Sequence, residues 1–226
     1  MKTKLTFQEA VKIQKKLAPR VKRRTSSALK RRLSKSGLLV AGADISFNRQ
    51  APHLFAAIVV MRLDDWSVVE RVGLRHRATF PYVPGFLSFR EIPPILAAWR
   101  QLQHNPDVLL CDGQGIAHPR RLGLAAHLGV LLKLPTIGCA KSRLIGHYRE
   151  PGWSKGSSSV LSDGPEIIGR VLRTRNGVKP LFISVGHRIG LEDAVSLVLR
   201  CCPRYRIPEP IREAHMTVNR MRECLS

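Results

Sequence analysis

LLVAGADISF (38–47), LFAAIVVMRL (54–63) and SVVERVGLR (67–75) are three β-rich runs separated only by short polar links, Arg49-Gln50-Ala51-Pro52 and Asp64-Asp65-Trp66. A parallel crossover needs a dozen or more residues, so links this tight predict an antiparallel meander. Downstream the texture changes to strand–helix alternation. After Pro81–Gly85, the residues Ile92, Ile95, Leu96, Trp99 and Leu102 recur at helical spacing. They predict a helix from about Leu87 to His104, with Pro93 and Pro94 tolerated in its first turn. VLLCD (108–112) and PTIGCA (135–140) read as short strands with a helix over 122–132 between them. EIIGRVLRT (166–174) and KPLFISVG (179–186) read as strands, Gly190 to Cys201 as a helix, and GWSKGSSSVLSDG (152–164) as a flexible loop. A meander followed by strand–helix units predicts an α/β fold, a mixed sheet flanked by helices.

On the N-terminal side, residues 6–35 read as an amphipathic helix broken near Pro19. The connector VKRRTSSALKRRLSK that follows is either a second short helix or a mobile arm. No linker divides the chain after residue 37. The expected organisation is a basic helical segment, 1–36, packed on or leading into one domain, 37–226.

Charge is the strongest global signal. The chain of 226 residues carries 38 Lys plus Arg against 16 Asp plus Glu, a net +22, and the first 36 residues hold thirteen basic side chains against the single acid Glu9. Such a surface suits a polyanion, because counterions released from phosphates drive its binding, and nucleic acid is the expected partner. A solvated tail or a membrane-surface patch is the alternative. No apolar run approaches the roughly 18–20 residues of a membrane helix, and MKTKLTFQEAVKIQKK lacks the apolar core of a signal peptide. Five cysteines without metal-ligand spacing, Cys201 and Cys202 adjacent, fit a reducing cytoplasm rather than a disulfide framework.

Several side chains carry candidate chemistry, each with a plainer reading beside it. Asp44 lies within an apolar strand, where an ionised carboxylate is costly unless paired or bound to a metal, or else it caps a turn. Asp112 closes a strand and opens Gly-Gln-Gly, the place where open α/β sheets put ligands, although Asp-Gly also favours a simple turn. Glu91 near the start of its helix either complements the helix dipole or projects a third carboxylate into a cleft. Three acids from separated elements suit a hard divalent cation such as Mg²⁺. Lys141 at a strand end meets a phosphate oxygen or is merely solvated. His187 and His215 are candidates for a phosphate contact or a place beside a metal, or are structural. Tyr82, between two prolines, is a rigid aromatic suited to insertion into a base stack, or to packing.

Together these pieces resemble the endonuclease V family of inosine-directed repair nucleases. The resemblance rests on AGADISF (41–47), PYVPGFLSFREIP (81–93), CDGQGIAHPRRLGLAAHLG (111–129), PTIGCAKSRLIG (135–146), PLFISVGHR (180–188) and RIPEPIREAH (206–215), in that order. It implies a ribonuclease-H-like fold with a central five-stranded mixed sheet, three strands antiparallel. It implies Mg²⁺, with Mn²⁺ as substitute, held around Asp44 and Asp112, with Glu91 and His215 completing the centre and Lys141 stabilising the phosphate or cleaved strand. It makes Tyr82, beside Pro84, the strand-separating wedge, and Gly85, Gly113, Gly115, Ile116 and His118 the pocket for a flipped hypoxanthine. The implied reaction is hydrolysis of the second phosphodiester 3′ to a deaminated base in DNA, leaving 3′-hydroxyl and 5′-phosphate ends, by a monomer. Two alternatives stand: the same chemistry on inosine-containing RNA, and a nucleic-acid-binding module without catalysis. The position of His215 is Asp in some similar proteins, and the N-terminal basic excess is not a family requirement.

Overall fold

Apolar alternation and short links give the meander its form. In the computed structural model, which describes residues 5–47 and 52–224, β1 (Leu39–Phe47), β2 (His53–Arg62) and β3 (Val68–Arg77) pair antiparallel in sequence order. The expected link at Arg49–Ala51 lies outside the described residues. β2 is buried at every position from Leu54 to Met61, because helices cover both its faces. That explains a run with no polar alternation. β3 alternates, as an edge strand does.

The other side of β1 pairs parallel with β4 (Val108–Cys111), and β4 pairs parallel with β5 (Thr136–Ala140). These five strands are the ribonuclease-H-like core, but the sheet does not stop there. β8 (Leu181–His187) adds antiparallel to β5, followed by β7 (Glu166–Leu172) and β6 (Ser158–Asp163), giving eight strands in the order β3-β2-β1-β4-β5-β8-β7-β6. The expected five-stranded sheet is thus one side of a larger one, with β3 at its edge and β5 extended by three further strands. The expected loop at 152–164 is half strand, since Ser158–Asp163 pairs with β7 despite its serines. Register with a neighbour overrides local composition there.

Helices close both faces. α3 (Leu87–Trp99) and α4 (Leu124–Leu132) pack Ile92, Ile95 and Leu128 onto Ala41, Ala43, Leu109 and Cys111. On the opposite face α5 (Leu191–Arg200) and α6 (Glu209–Glu223) bring Leu197, Val198 and Ile211 to Val40, Leu110 and Ile183. Successive residues of β1 and β4 therefore face opposite layers. α3 is shorter than expected, and its prolines lie in the interior rather than the first turn. Pro93 and Pro94 have no N–H to offer the carbonyls of Phe89 and Arg90, which weakens the helix just beyond Glu91. α6 was not anticipated from the sequence as a helix. Its first turn lies on Gly42, where a Cβ would sit 2.1 Å from the carbonyl carbon of Pro210.

The N-terminal segment is packed on the domain. α1 (Phe7–Leu17) begins with a capping box between Thr6 and Glu9 and continues as a 3₁₀ turn (Ala18–Arg20), which accounts for the break at Pro19. The connector contains a second helix, α2 (Ser27–Leu33), tied down by Arg32 Nε to Asp107 Oδ1 at 2.9 Å, while Asp107 Oδ2 accepts from the Leu39 amide at 2.9 Å. No described helix is long and apolar enough to cross a membrane.

Gly42→Ala is expected to lose about 1–3 kcal/mol of stability by forcing α6 off the sheet. Urea denaturation followed by far-UV circular dichroism measures it, and an unchanged midpoint would show that α6 is free to shift.

Candidate active site

The parallel pairing of β1 and β4 aligns Ala43 with Cys111, and the Asp112 amide donates to the Ala43 carbonyl at 3.4 Å. The next side chains along the two strands are Asp44, inside β1, and Asp112, just past the end of β4, so two carboxylates stand side by side on neighbouring strands. Asp44 is buried, 8 % exposed. Burial, then the charge of Asp112, pushes its carboxyl above the ordinary value. Glu91 approaches from α3 as the fifth helical residue, past the first turn where a helix dipole acts strongly. Burial, then Asp44 and Asp112, push it up to about 8.

Cationic and polar neighbours hold this repelling group. Lys141, just beyond β5, pairs its Nζ with Asp112 Oδ2. His215 on α6 donates from Nδ1 to Asp44 Oδ2 at 2.7 Å and accepts at Nε2 from Asn219 Nδ2 at 2.9 Å. Ser46 Oγ closes the chain on Asn219 Oδ1 at 3.1 Å. Among the described residues no three His, Cys, Asp or Glu side chains form a ready-made cage for one ion. The three acids instead border one cavity of about 220 Å³ with Phe47 and Tyr82. An all-oxygen donor set of net negative charge, short of full coordination, fits a hard cation that keeps several waters.

A second cavity, of about 410 Å³, adjoins the first and shares Tyr82, Glu91 and Asp112 with it. Its size falls in the range of small-ligand sites, roughly 300–1,000 Å³. Pro84 and Gly85 form one wall, Gly113 and His118 another, and Lys141 the rim. Burial pushes His118 down to about 4, so the ring is neutral. Its Nδ1 accepts from the Arg120 amide at 3.1 Å, which leaves the proton on Nε2 to donate to the Gly85 carbonyl at 3.0 Å. Gly85 has φ +79°, a left-handed turn that favours glycine. Tyr82 stands 57 % exposed at the tip, its ring 5.7 Å from that of Phe47.

Most of the residues singled out in the sequence therefore converge on the two cavities. Gly115 and Ile116 lie beneath instead, their amides bonded to Ser184 Oγ and the Val185 carbonyl at 2.8 Å each. His187 is remote: it pairs with Thr136 at the opposite end of β5, is buried, and accepts from the Lys22 amide at 3.1 Å, which gives it a structural role. Gln14 and Asn219 were missed. Neither belongs to a recognisable motif, and only the tertiary contacts reveal them. Cys111, Cys139, Cys201 and Cys202 are buried and free.

Acids on neighbouring strands of a ribonuclease-H-like sheet, in a chain of net charge +22, point to a nuclease class. The comparisons identify which one. Residues 15–216 match the family model described as Endonuclease V. Endonuclease V of Nostoc punctiforme is 51% identical over 210 residues, covering 92% of each chain. The crystal structure of endonuclease V from Streptomyces avermitilis superposes with a TM-score of 0.89 at 41% identity, covering 98% of this chain and 95% of that one. Ciona intestinalis endonuclease V, solved in complex with a 24mer DNA containing an inosine followed by a ribo-adenosine, superposes with a TM-score of 0.84 at 28% identity, covering 97% and 98%. The chain belongs to the endonuclease V family and is a nuclease.

The raised carboxyl of Glu91 has a consequence for stability. A group protonated more readily in the folded state contributes stability below its unfolded value, 4.5, and loses it as pH rises toward about 8. In chelator, the urea midpoint is expected to fall across that window, and Glu91→Gln to flatten the fall. An equally steep fall in the variant would contradict the assignment.

Proposed function

We propose that the protein is a divalent-cation-dependent endonuclease that recognises a deaminated base, hypoxanthine of inosine, in nucleic acid and hydrolyses the backbone beside it. One observation carries this reading: the acidic cavity and the cavity behind the Tyr82 loop adjoin and share Glu91 and Asp112. A pocket for an extruded base thus opens beside the carboxylates that would act on the phosphodiester. Membership of the family supports it, as does the inosine-containing DNA bound by the Ciona relative.

Asp44 and Asp112 would hold Mg²⁺, or Mn²⁺ in its place. The bound cation supplies positive charge that polarises a phosphate oxygen and acidifies water. Glu91, in its ionised form, would orient the attacking water and take up its proton at a carboxylate oxygen. Lys141 exchanges Asp112 for a phosphate oxygen of the cut strand. His215 orients Asp44, with its ring fixed by Asn219. Tyr82, stiffened by Pro81 and Pro84, fills the gap left by the extruded base, and Gly85, Gly113 and His118 wall its pocket, with Gly115 and Ile116 supporting the floor. Following the family resemblance, the cut falls at the second phosphodiester 3′ to the lesion and leaves 3′-hydroxyl and 5′-phosphate ends. The enzyme works as a monomer, and the free buried cysteines suit a cytoplasmic setting.

DNA is the first reading of the substrate. The ribo-adenosine that follows inosine in the Ciona complex favours inosine-containing RNA as a second. Matched DNA and RNA oligomers with one inosine, assayed with Mg²⁺ and with chelator, separate the two. Asp44→Asn and Asp112→Asn are each expected to lower cleavage by roughly 100-fold or more while the inosine strand still binds. Full activity in either variant would overturn the proposal, and no cation-dependent turnover on any strand would favour a binding module.

A further inference from the structure

The basic N-terminal segment does more than add charge. Gln14 on α1 is fully buried, and both ends of its amide are used. Its Nε2 donates to the Gly85 carbonyl at 3.0 Å, and its Oε1 accepts from Arg120 Nε. Arg120 Nη2 and His118 Nε2 donate to the same carbonyl at 2.8 and 3.0 Å. Three donors from α1 and the 113–123 loop therefore grip one oxygen in a left-handed turn. On α1 the ring of Phe7 packs edge-on against Phe80 at 5.6 Å and Phe86 at 5.5 Å, the residues flanking Pro81–Gly85 on either side. The Arg120 guanidinium lies 4.5 Å from the Phe86 ring centre.

α1 thus pins the wedge loop at both shoulders and leaves its tip exposed. Simple docking of an amphipathic helix does not require this arrangement. Ala10, also fully buried on α1, shows the apolar solution, whereas a buried amide is costly unless every polar atom is met. The one duty visible for the Gln14 amide is to orient Gly85 and Arg120.

We propose that Gln14 is a positioning residue for lesion recognition: with Arg120 it fixes the Gly85 carbonyl and so the direction in which Tyr82 projects. This rests on the reading of the Tyr82 loop and its cavity as the part that recognises the base. The N-terminal helix then acts on selectivity from inside the fold, not as an electrostatic arm.

The test uses the full chain, a duplex with one inosine next to 2-aminopurine, whose fluorescence reports unstacking, and the same duplex without inosine. Gln14→Met removes both bonds at similar size. Gln14→Glu keeps an acceptor for Arg120 and removes the donor to Gly85. Gln14→Glu is expected to lose about tenfold in kcat/KM on the inosine strand, the size of one lost buried hydrogen bond, and Gln14→Met at least as much, each with a weaker unstacking signal. Affinity for the lesion-free duplex is expected to stay within about twofold. Added to Tyr82→Ala, Gln14→Met is expected to take away little more, because both act through one element. Unchanged discrimination in both variants, or losses that multiply fully with Tyr82→Ala, would overturn the proposal. If Gln14→Met also lowers Tm, Gln14→Glu decides. Tyr82→Ala cleaving like the parent would sink the recognition reading itself, a result obtained without touching Gln14.

Discussion

Parallel pairing of β1 with β4 sets two carboxylates beside each other where water is scarce, and much of the surrounding structure answers that repulsion. Two like charges so placed repel, and the charge of Asp112 pushes the Asp44 carboxyl up after burial does. Three devices offset this: Lys141 on Asp112, His215 on Asp44, and retention of a proton by Glu91. Each comes from a different element, so β5, α6 and α3 must all be in place before the acids can coexist. The steric seat of α6 on Gly42 is one such condition, since α6 carries both His215 and Asn219.

A short segment carries both the proposed wedge and one of the three acids. Tyr82, the left-handed turn at Gly85 and Glu91 fall within ten residues, and the α3 helix that begins directly after the turn delivers the carboxylate. Just past Glu91 the hydrogen-bond ladder of that helix is interrupted by Pro93 and Pro94. Gln14, His118 and Arg120 hold the Gly85 carbonyl at the other end of the segment.

Much of this was legible in the sequence. The meander followed from link length, and the acids that share a cavity from polar residues breaking apolar runs; Tyr82, held between prolines, stands exposed as a rigid aromatic would. Other parts were not, for physical reasons. β6 is serine-rich and owes its extension to pairing with β7, whereas the α6 segment does carry Ile211, Ala214 and Val218 at helical spacing, a narrow stripe among charged residues that went unread. His187 looked equal to His215 as a lone histidine near a strand or helix. Antiparallel pairing of β8 with β5 sends it to the far end of the sheet, and local sequence does not encode that direction. Gln14 carries no motif at all. Its meaning lies in contacts spanning 71 and 106 residues.

In the proposed reaction Asp44, Asp112 and Glu91 behave as one charged unit relieved by a cation. Titration calorimetry of Mn²⁺ binding at pH 7, in two buffers of different ionisation enthalpy, tests that directly. With Glu91 at about 8, binding is expected to release close to one proton per protein, and Glu91→Gln to abolish the release while binding persists. Cation binding with no buffer-dependent heat in the parent protein, or the same release from the Gln variant, would contradict it.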